Sequence, residues 1–190
     1  INEALTYLKK KPYLIDIVDP SLPSMEPISG VEYEAFLKSG DPDFDSQLPK
    51  DEWDAIALSY TSGTTGDPKG VVTHHRGAYL NAIGNVVTWT MPYFSKYLWT
   101  LPMFHCNGWC FPWTLAAVAG TSICLRRIEA KVIFHLIQEH GVTHMCGAPV
   151  VYNTLINAPH NEFQITSSRV KGMIAGAAPP RSVIEGAELL

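Results

Sequence analysis

Residues 59–72 read "SYTSGTTGDPKGVV", and this stretch decides how the whole chain is interpreted. Glycines let backbone N–H groups converge on an anion, hydroxyl side chains add donors without bulk, and Lys69 adds a mobile positive charge. A Walker A loop has four residues between its glycines and a Ser or Thr after its lysine. Here two residues separate Gly63 from Gly66, and Gly70 follows Lys69. The apolar runs on both sides therefore predict a hairpin with a phosphate-binding loop at its tip, longer than an ordinary hairpin turn of about two to five residues.

Short apolar runs alternate with amphipathic stretches along the chain. Strands are predicted at 13–18, 55–60, 70–74, 97–101, 121–125, 142–148 and 169–177, and helices at 31–40, 75–90, 108–120, 129–141, 149–157 and 180–190. This alternation predicts an α/β fold with a largely parallel sheet flanked by helices. Two regions are expected: residues 1–50, a connecting segment with a strand, a loop and a short helix, and residues 51–190, which carry the phosphate loop.

Composition narrows the function classes. Hydrophobic residues make up 46% of the 190 residues and charged residues 17%, which indicates a globular protein with a substantial core. The net charge of −4 disfavours nucleic acid as a partner. The longest apolar run, residues 110–119, contains Pro112 and is shorter than the roughly 18 residues of a membrane span, so no span is predicted. Four cysteines among apolar neighbours indicate reduced thiols and a cytoplasmic location, and an organelle such as the peroxisome is also compatible.

Three blocks carry a resemblance to a known family. "YTSGTTGDPKGV" (60–71) resembles the phosphate-loop signature of the adenylate-forming, or AMP-binding, superfamily, which includes acyl-CoA synthetases, luciferases and peptide-synthetase adenylation domains. "LPMFHCNGW" (101–109) resembles the block that lines the acyl pocket, and "AGAAPP" (175–180) resembles the segment that packs on adenine. Their order and spacing also agree, so the resemblance covers the chain from about Asp51 onward. It implies part of the large N-terminal domain of an acyl-CoA synthetase, in the fatty-acid–CoA ligase branch.

The resemblance implies two half-reactions. A carboxylate attacks the α-phosphate of ATP and releases pyrophosphate, and the thiol of coenzyme A then displaces AMP from the acyl-adenylate. The physical task of the first step is to stabilise negative charge on the departing pyrophosphate. The expected cofactors are ATP, Mg²⁺ and coenzyme A, and the expected substrate is a short- to medium-chain or aryl carboxylic acid.

By the same resemblance, individual residues acquire expected roles. Lys69 and His105 are the expected catalytic residues, and His105 and Trp109 are expected to line the substrate pocket. The expected role of His105 is to orient the carboxylate or to gate this pocket. Thr65 is the expected contact to Mg²⁺. The residues expected to bind the nucleotide are Thr61, Ser62, Gly63, Thr64, Thr65, Gly66 and Lys69 for the phosphates, and Gly176, Ala177, Ala178 and Pro179 for adenine.

Alternatives remain open at this point. A lone histidine such as His105 is by itself more often a packed core residue than a ligand, and Trp109 with Phe104 and Phe111 could belong to the core. His105, Cys106 and Cys110 could instead bind a metal in a structural domain, although their spacing lacks a second ligand pair. The chain could also be a module that binds nucleotide without chemistry.

Three parts that the family pattern places further along are missing from these residues. They are a Mg²⁺-binding glutamate in a Tyr-Gly-x-Thr-Glu block, an aspartate that holds the ribose, and a small C-terminal domain with a catalytic lysine. We therefore expect the sequence to be an internal piece of a longer enzyme. We also expect the 190-residue chain alone to complete neither half-reaction.

Overall fold

The computed structural model describes residues 1–22, 26–62, 66–159 and 169–190. The chain divides into two compact units, Ile1–Leu48 and Pro49–Leu190. Among the described residues, no helix combines the length and the apolar character needed to cross a membrane.

The first unit has little regular structure. It contains helix α1 (Asn2–Thr6) and helix α2 (Tyr33–Leu37), and the carboxylate of Glu32 caps α2 by accepting hydrogen bonds from the backbone N–H groups of Glu34 and Ala35. The predicted helix at 31–40 is therefore confirmed in a shorter form.

The predicted strand at 13–18 is wrong. This run makes a single bridge, from Asp16 to Glu32, and no ladder. The Asp16 carboxylate instead accepts hydrogen bonds from the loop that precedes α2, including the Ser29 backbone and hydroxyl at 2.8 Å. These hydrogen bonds, with the Ser29 backbone first, lower the pKa of Asp16. The Asp16 carboxylate thus binds a loop, whereas the apolar pattern predicted that residues 13–18 would pair with another strand.

The second unit begins with an antiparallel hairpin and continues as alternating strands and helices. Its elements are β1 (Ala55–Tyr60), β2 (Gly70–His74), α3 (His75–Trp89), β3 (Lys96–Trp99), α4 (Cys106–Trp109), α5 (Phe111–Ala117), β4 (Thr121–Cys124), α6 (Ala130–His140), β5 (His144–Gly147), α7 (Pro149–Ile156), β6 (Lys171–Ile174) and α8 (Arg181–Glu188). The two hairpin strands have the predicted bounds, and the other predicted strands and helices of this unit, except the helix at 108–120, form within a few residues of theirs.

Four of these strands form one parallel sheet in the order β4-β3-β5-β6. Successive side chains of a strand point to opposite faces, and both faces of this sheet are covered. Leu98 and Met145 pack with α6, α7 and α8 on one face. Tyr97 and Trp99 pack with α5 and the end of α3 on the other. The predicted α/β fold with a parallel sheet flanked by helices is confirmed.

Lysine side chains close two helices against this sheet. The Lys96 ammonium donates to the carbonyl of His140, the last residue of α6, at 2.7 Å, and the Lys171 ammonium donates to the carbonyl of Trp89, the last residue of α3, at 3.2 Å. Cations at a helix C-terminus satisfy free carbonyls and complement the helix dipole. Both contacts tie a helix end to the amino end of a strand.

The predicted continuous helix at 108–120 is wrong. It breaks at Cys110, which has φ +63° and separates α4 from α5. The physical reason is the left-handed backbone of residues 106–110.

Candidate functional site

The hairpin presents the loop that the sequence singled out. The strands β1 and β2 pair from Ala55 with His74 to Tyr60 with Gly70, so residues 61–69 form the tip. Two reciprocal hydrogen bonds of 3.0 Å close its base: the Thr61 N–H donates to the Lys69 carbonyl, and the Lys69 N–H donates to the Thr61 hydroxyl oxygen. The loop is therefore fixed where it leaves the strands.

The loop residues at this base are exposed. Thr61, Ser62, Gly66 and Lys69 all face solvent. Gly63, Thr64 and Thr65, which include the expected Mg²⁺ contact, lie outside the described residues. Among the described residues no hydrogen bond or ion pair engages the Lys69 ammonium group, which fits a cation kept for an anionic ligand.

The base of the hairpin is clamped to α3 by the segment before β1. The His74 ring accepts a hydrogen bond from the Gly77 N–H at 3.0 Å and so caps α3. The Trp53 ring lies 4.7 Å from the His74 ring, and Arg76 pairs with Glu52 at 2.7 Å. Sequence reasoning missed this cap because histidine is not among the residues preferred at a helix N-terminus.

Two of the predicted blocks lie at the carboxyl edge of the parallel sheet. The segment 100–109 follows β3, and the segment 175–180 follows β6, with β5 between these strands. The Thr100 hydroxyl donates to the Cys146 carbonyl, and the Ala175 N–H donates to the Gly147 carbonyl at 3.3 Å. In open α/β sheets, ligands bind outside the carboxyl ends of the strands.

The expected adenine segment has small side chains and an open backbone. Gly176, Ala177 and Ala178 are exposed, and Pro179 is half-buried. Gly176 has φ +88°, which favours glycine. An added Cβ at Gly176 would meet nothing within 4 Å, so the space above this backbone is open.

The block at 101–109 ends in a left-handed turn. Five consecutive residues have positive φ: Cys106 at 45°, Asn107 at 48°, Gly108 at 57°, Trp109 at 53° and Cys110 at 63°. The left-handed conformation costs about 1–2 kcal/mol for each residue that carries a Cβ. Such backbone persists only where the surroundings impose it, and it is concentrated at functional sites.

Close packing permits only glycine at the centre of this turn. A Cβ on Gly108 would lie 2.9 Å from Cζ3 of Trp99, whose indole belongs to the buried cluster on one face of the sheet. The turn therefore rests directly on the side chain that ends β3.

Polar side chains from three other elements hold the turn. The Thr73 hydroxyl on β2 donates to the side-chain oxygen of Asn107 at 3.2 Å. The Asn85 amide on α3 donates to the Trp109 carbonyl and to the Thr114 hydroxyl oxygen, both at 3.1 Å, and the Thr114 hydroxyl donates to the Cys110 carbonyl at 2.9 Å. Sequence reasoning did not identify Asn85 or Thr73, because a polar residue in an amphipathic element is ordinarily expected to face solvent.

The predicted residues of the block have different surroundings. His105 is exposed and directly precedes the turn, so it is not a packed core histidine. Trp109 is half-buried against the cluster that contains Tyr97. Phe104 is 82% exposed, whereas Phe111 is 1% exposed and stacks on Tyr97 at 4.7 Å, which makes Phe111 a core residue.

Buried ionisable groups of the sheet are held neutral. Burial raises the pKa of the Cys146 thiol to about 12, and burial also raises the pKa of Tyr97. Burial, followed by the nearby Lys171 ammonium, lowers the pKa of His144 to about 4. These groups belong to the core and not to the exposed surface that carries His105.

The metal-site alternative finds no support in the described part of the chain. There, no group of three or more His, Cys, Asp or Glu side chains could hold a metal ion.

A cavity of about 480 Å³ lies between α3 and α5. Its lining includes the apolar residues Ala82 and Trp113, and none of the predicted site residues line it.

Comparison with known proteins identifies relatives of this chain. An acetate/butyrate–CoA ligase of peroxisomes from Arabidopsis thaliana (AAE7) is 53% identical over 181 residues, which are 92% of this chain and 32% of that protein. An acetate–CoA ligase from Humulus lupulus (CCL3) is 56% identical over 155 residues, which are 81% of this chain and 27% of that protein. The chain thus spans about a third or less of the length of these curated relatives.

Solved structures agree on the fold. The N-terminal domain of FACL13 from Mycobacterium tuberculosis superposes with a TM-score of 0.78 at 22% identity, covering 99% of this chain and 45% of that one. The O-succinylbenzoate coenzyme A synthetase of Bacillus subtilis, solved in complex with ATP and a magnesium ion, superposes with a TM-score of 0.71 at 21% identity, covering 84% and 33%. The profile of the family described as AMP-binding enzyme matches residues 7–188. The resemblance seen in the three sequence blocks is therefore confirmed, and the chain belongs to the AMP-binding enzyme family.

Proposed function

We propose that this chain binds ATP and a carboxylic acid for an AMP-forming carboxylic acid–CoA ligase. The observation that carries the proposal is the hydrogen bond from Thr73 to Asn107, which joins the strand leaving the phosphate loop to the turn that follows His105. Attack of a carboxylate on ATP needs both reactants held in contact. This hydrogen bond ties the hairpin that carries the loop to the segment that carries His105, and this supports the proposal.

In this proposal the loop at 61–69 binds the β- and γ-phosphates. Thr61, Ser62, Gly63, Thr64, Thr65 and Gly66 supply hydroxyl and backbone N–H donors, and Lys69 supplies the positive charge for the departing pyrophosphate. Mg²⁺, with Thr65 as its proposed protein contact, would neutralise phosphate charge. The bonds between Thr61 and Lys69 support the proposal, because they close the base of the loop at the ends of both strands.

Adenine would pack on residues 176–179. The exposed, small side chains of Gly176, Ala177 and Ala178 leave room for a flat ring, and Pro179 borders it. This segment and the turn lie at the same edge of the sheet, which supports one continuous nucleotide and acid site on residues 51–190.

The acid would be a short aliphatic one. His105 orients its carboxylate by hydrogen bonding, and Trp109 borders its alkyl group. The names of the Arabidopsis and Humulus relatives specify acetate and butyrate, which favours a short chain over an aryl acid. Coenzyme A is the proposed acceptor of the acyl group.

The compartment is tested separately. Since the Arabidopsis relative is peroxisomal by name, imaging of tagged protein should compare the cytosol with the peroxisome.

Pyrophosphate release tests the proposal. The complete polypeptide that contains these residues is supplied with ATP, Mg²⁺ and acetate, butyrate, octanoate or benzoate, with coenzyme A added or withheld. We expect release that depends on acetate or butyrate, and thioester only when coenzyme A is present. No release with any of the four acids, together with intact ATP binding, would contradict the ligase and favour a nucleotide-binding module. The 190-residue chain is assayed in parallel and is expected to be inactive.

A further inference from the structure

We infer that Asn85, on α3, is a positioning residue that holds residues 106–110 in their left-handed turn and thereby places His105 and Trp109. The inference rests on the proposed function, because these two residues are its acid-binding residues. The hydrogen bonds from Asn85 to the turn and to Thr114 are the structural relationship that supports it.

The hydrogen bonds within the turn do not favour its left-handed conformation. Its internal backbone bonds run from the Gly108 N–H to the His105 carbonyl at 2.9 Å and from the Cys110 N–H to the Asn107 carbonyl at 3.1 Å. These bonds span three residues, as in turns of either hand. Since four of the five residues carry a Cβ, the right-handed form would be favoured in isolation. The left-handed form therefore depends on contacts from outside the turn.

Asn85 supplies such a contact to the backbone itself. Its amide nitrogen has two hydrogens, and the two acceptors at 3.1 Å are the Trp109 carbonyl and the Thr114 hydroxyl oxygen. The direction of a carbonyl depends on the backbone dihedrals of its own residue. A bond to the Trp109 carbonyl therefore favours the dihedrals that point this carbonyl toward α3.

Thr114 extends the contact to the next peptide. Its side chain is fully buried, and its hydroxyl donates to the Cys110 carbonyl at 2.9 Å while accepting from Asn85. Two successive carbonyls at the end of the turn are thus bound in one network. Buried polar groups that lose a partner are costly, so removing Asn85 disfavours the turn at the Trp109 carbonyl and takes a donor from the Thr114 hydroxyl oxygen.

The same helix is attached to the hairpin that carries the phosphate loop. His74 ends β2 and caps α3, so α3 has the hairpin at its first residue and the turn at Asn85. A change at Asn85 should therefore displace the acid-binding residues relative to the hairpin without altering the loop.

Asn85→Leu tests the inference, because leucine keeps the branching of the side chain and lacks both donors. Asn81→Leu is the matched control, since Asn81 is an exposed asparagine one turn earlier on α3. Hydrogen–deuterium exchange is measured for the peptide covering 105–111. We expect Asn85→Leu to speed exchange there about tenfold relative to the control, with β3 and β5 unchanged.

Kinetics on the complete polypeptide give the second measurement. We expect the KM for the acid to rise about tenfold in Asn85→Leu while the KM for ATP stays within about twofold. Thr114→Ser, which keeps the hydroxyl, should resemble the unmodified protein in both measurements, and Thr114→Val should resemble Asn85→Leu.

Unchanged exchange at 105–111, or an equal increase across the sheet, would overturn the inference, and so would an equal rise in both KM values. If Asn85→Leu selectively speeds exchange at 105–111 but the unmodified polypeptide shows no acid-dependent pyrophosphate release, the role of Asn85 in the turn is supported and the proposed ligase is contradicted. The two failures are therefore distinguishable.

Discussion

The hydroxyl of Thr73 donates a hydrogen bond across 3.2 Å to the side-chain oxygen of Asn107, which lies 34 positions later in the chain. Thr73 is on the strand that leaves the phosphate loop, and Asn107 is in the left-handed turn beside His105. Neither residue is among the site residues expected from the sequence, yet their contact connects two segments that the proposed ligase reaction would use together.

Thr73→Val removes this hydrogen bond with little change in side-chain shape. We expect the free energy of unfolding to fall by about 1 kcal/mol, as for the loss of a half-buried neutral hydrogen bond. Urea denaturation measures the change, and Thr73→Ser, which keeps the hydroxyl, should lose less. Equal stability of the valine variant and the unmodified protein would show that the bond contributes nothing.

Gly108→Ala places a Cβ where φ is +57° and where Cζ3 of Trp99 would be 2.9 Å away. The expected loss is about 2 kcal/mol or more, from the disfavoured backbone and the clash together. Gly84→Ala is the control, because Gly84 lies inside α3 with nothing within 4 Å of an added Cβ. This substitution should instead raise the free energy of unfolding by about 0.5–1 kcal/mol. The change in the free energy of unfolding should therefore have opposite signs at the two positions, and losses of similar size at both would contradict the prediction.

Lys69→Ala removes an exposed cation at the base of the loop. Adenylation should fall about 100-fold, by analogy with the loss of one group that stabilises transition-state charge, while the free energy of unfolding changes by less than about 0.5 kcal/mol. Pyrophosphate exchange and thermal unfolding report the two effects. Lys131→Ala, an exposed lysine on α6, should alter neither. A parallel loss of stability would argue against a catalytic role for Lys69.

His105→Ala should raise the barrier of the carboxylate step and leave ATP binding unchanged. His105 is exposed, so its side chain contributes little to the core. Acid-dependent pyrophosphate release is compared with nucleotide affinity from calorimetry. Unfolding of the variant would mean that His105 has a structural role, contrary to its exposure.

Acid should weaken the fold through His144. Burial and Lys171 lower its folded-state pKa to about 4, whereas histidine in an unfolded chain has a pKa of about 6.5. Between about pH 6.5 and 4 the unfolded chain therefore binds a proton that the folded chain does not. The free energy of unfolding should decrease as the pH falls through this window, by up to about 3 kcal/mol from this residue.

His144→Phe keeps a ring beside Trp89, whose centroid lies 4.9 Å from the His144 ring, and removes the titration. Urea denaturation from pH 7 to pH 4 should show a shallower decline in this variant. Parallel curves for the two proteins would assign the acid sensitivity to other groups.

Local sequence was sufficient for much of the fold. The alternation of short apolar runs with amphipathic stretches predicted the parallel sheet and its helices, in which Gly141 ends α6 at φ +61° and Pro149 begins α7. The hairpin strands β1 and β2 were predicted with their bounds because a Gly- and Thr-rich loop separates two short apolar runs. At 13–18 the same reasoning failed, since an apolar run becomes a strand only where another strand is available to pair with it.

By itself, the sequence determined the family, because the three blocks that contain the candidate site residues resemble it. The sequence also determined the order of strands and helices, because periodicity and glycine placement act over a few neighbouring residues. Only the tertiary structure decided the left-handed turn at 106–110 and its attachment to Asn85, Thr73 and Trp99. Four of those five residues prefer the right-handed conformation locally. Hydrogen bonds and packing from distant parts of the chain offset that preference, and no local pattern records them.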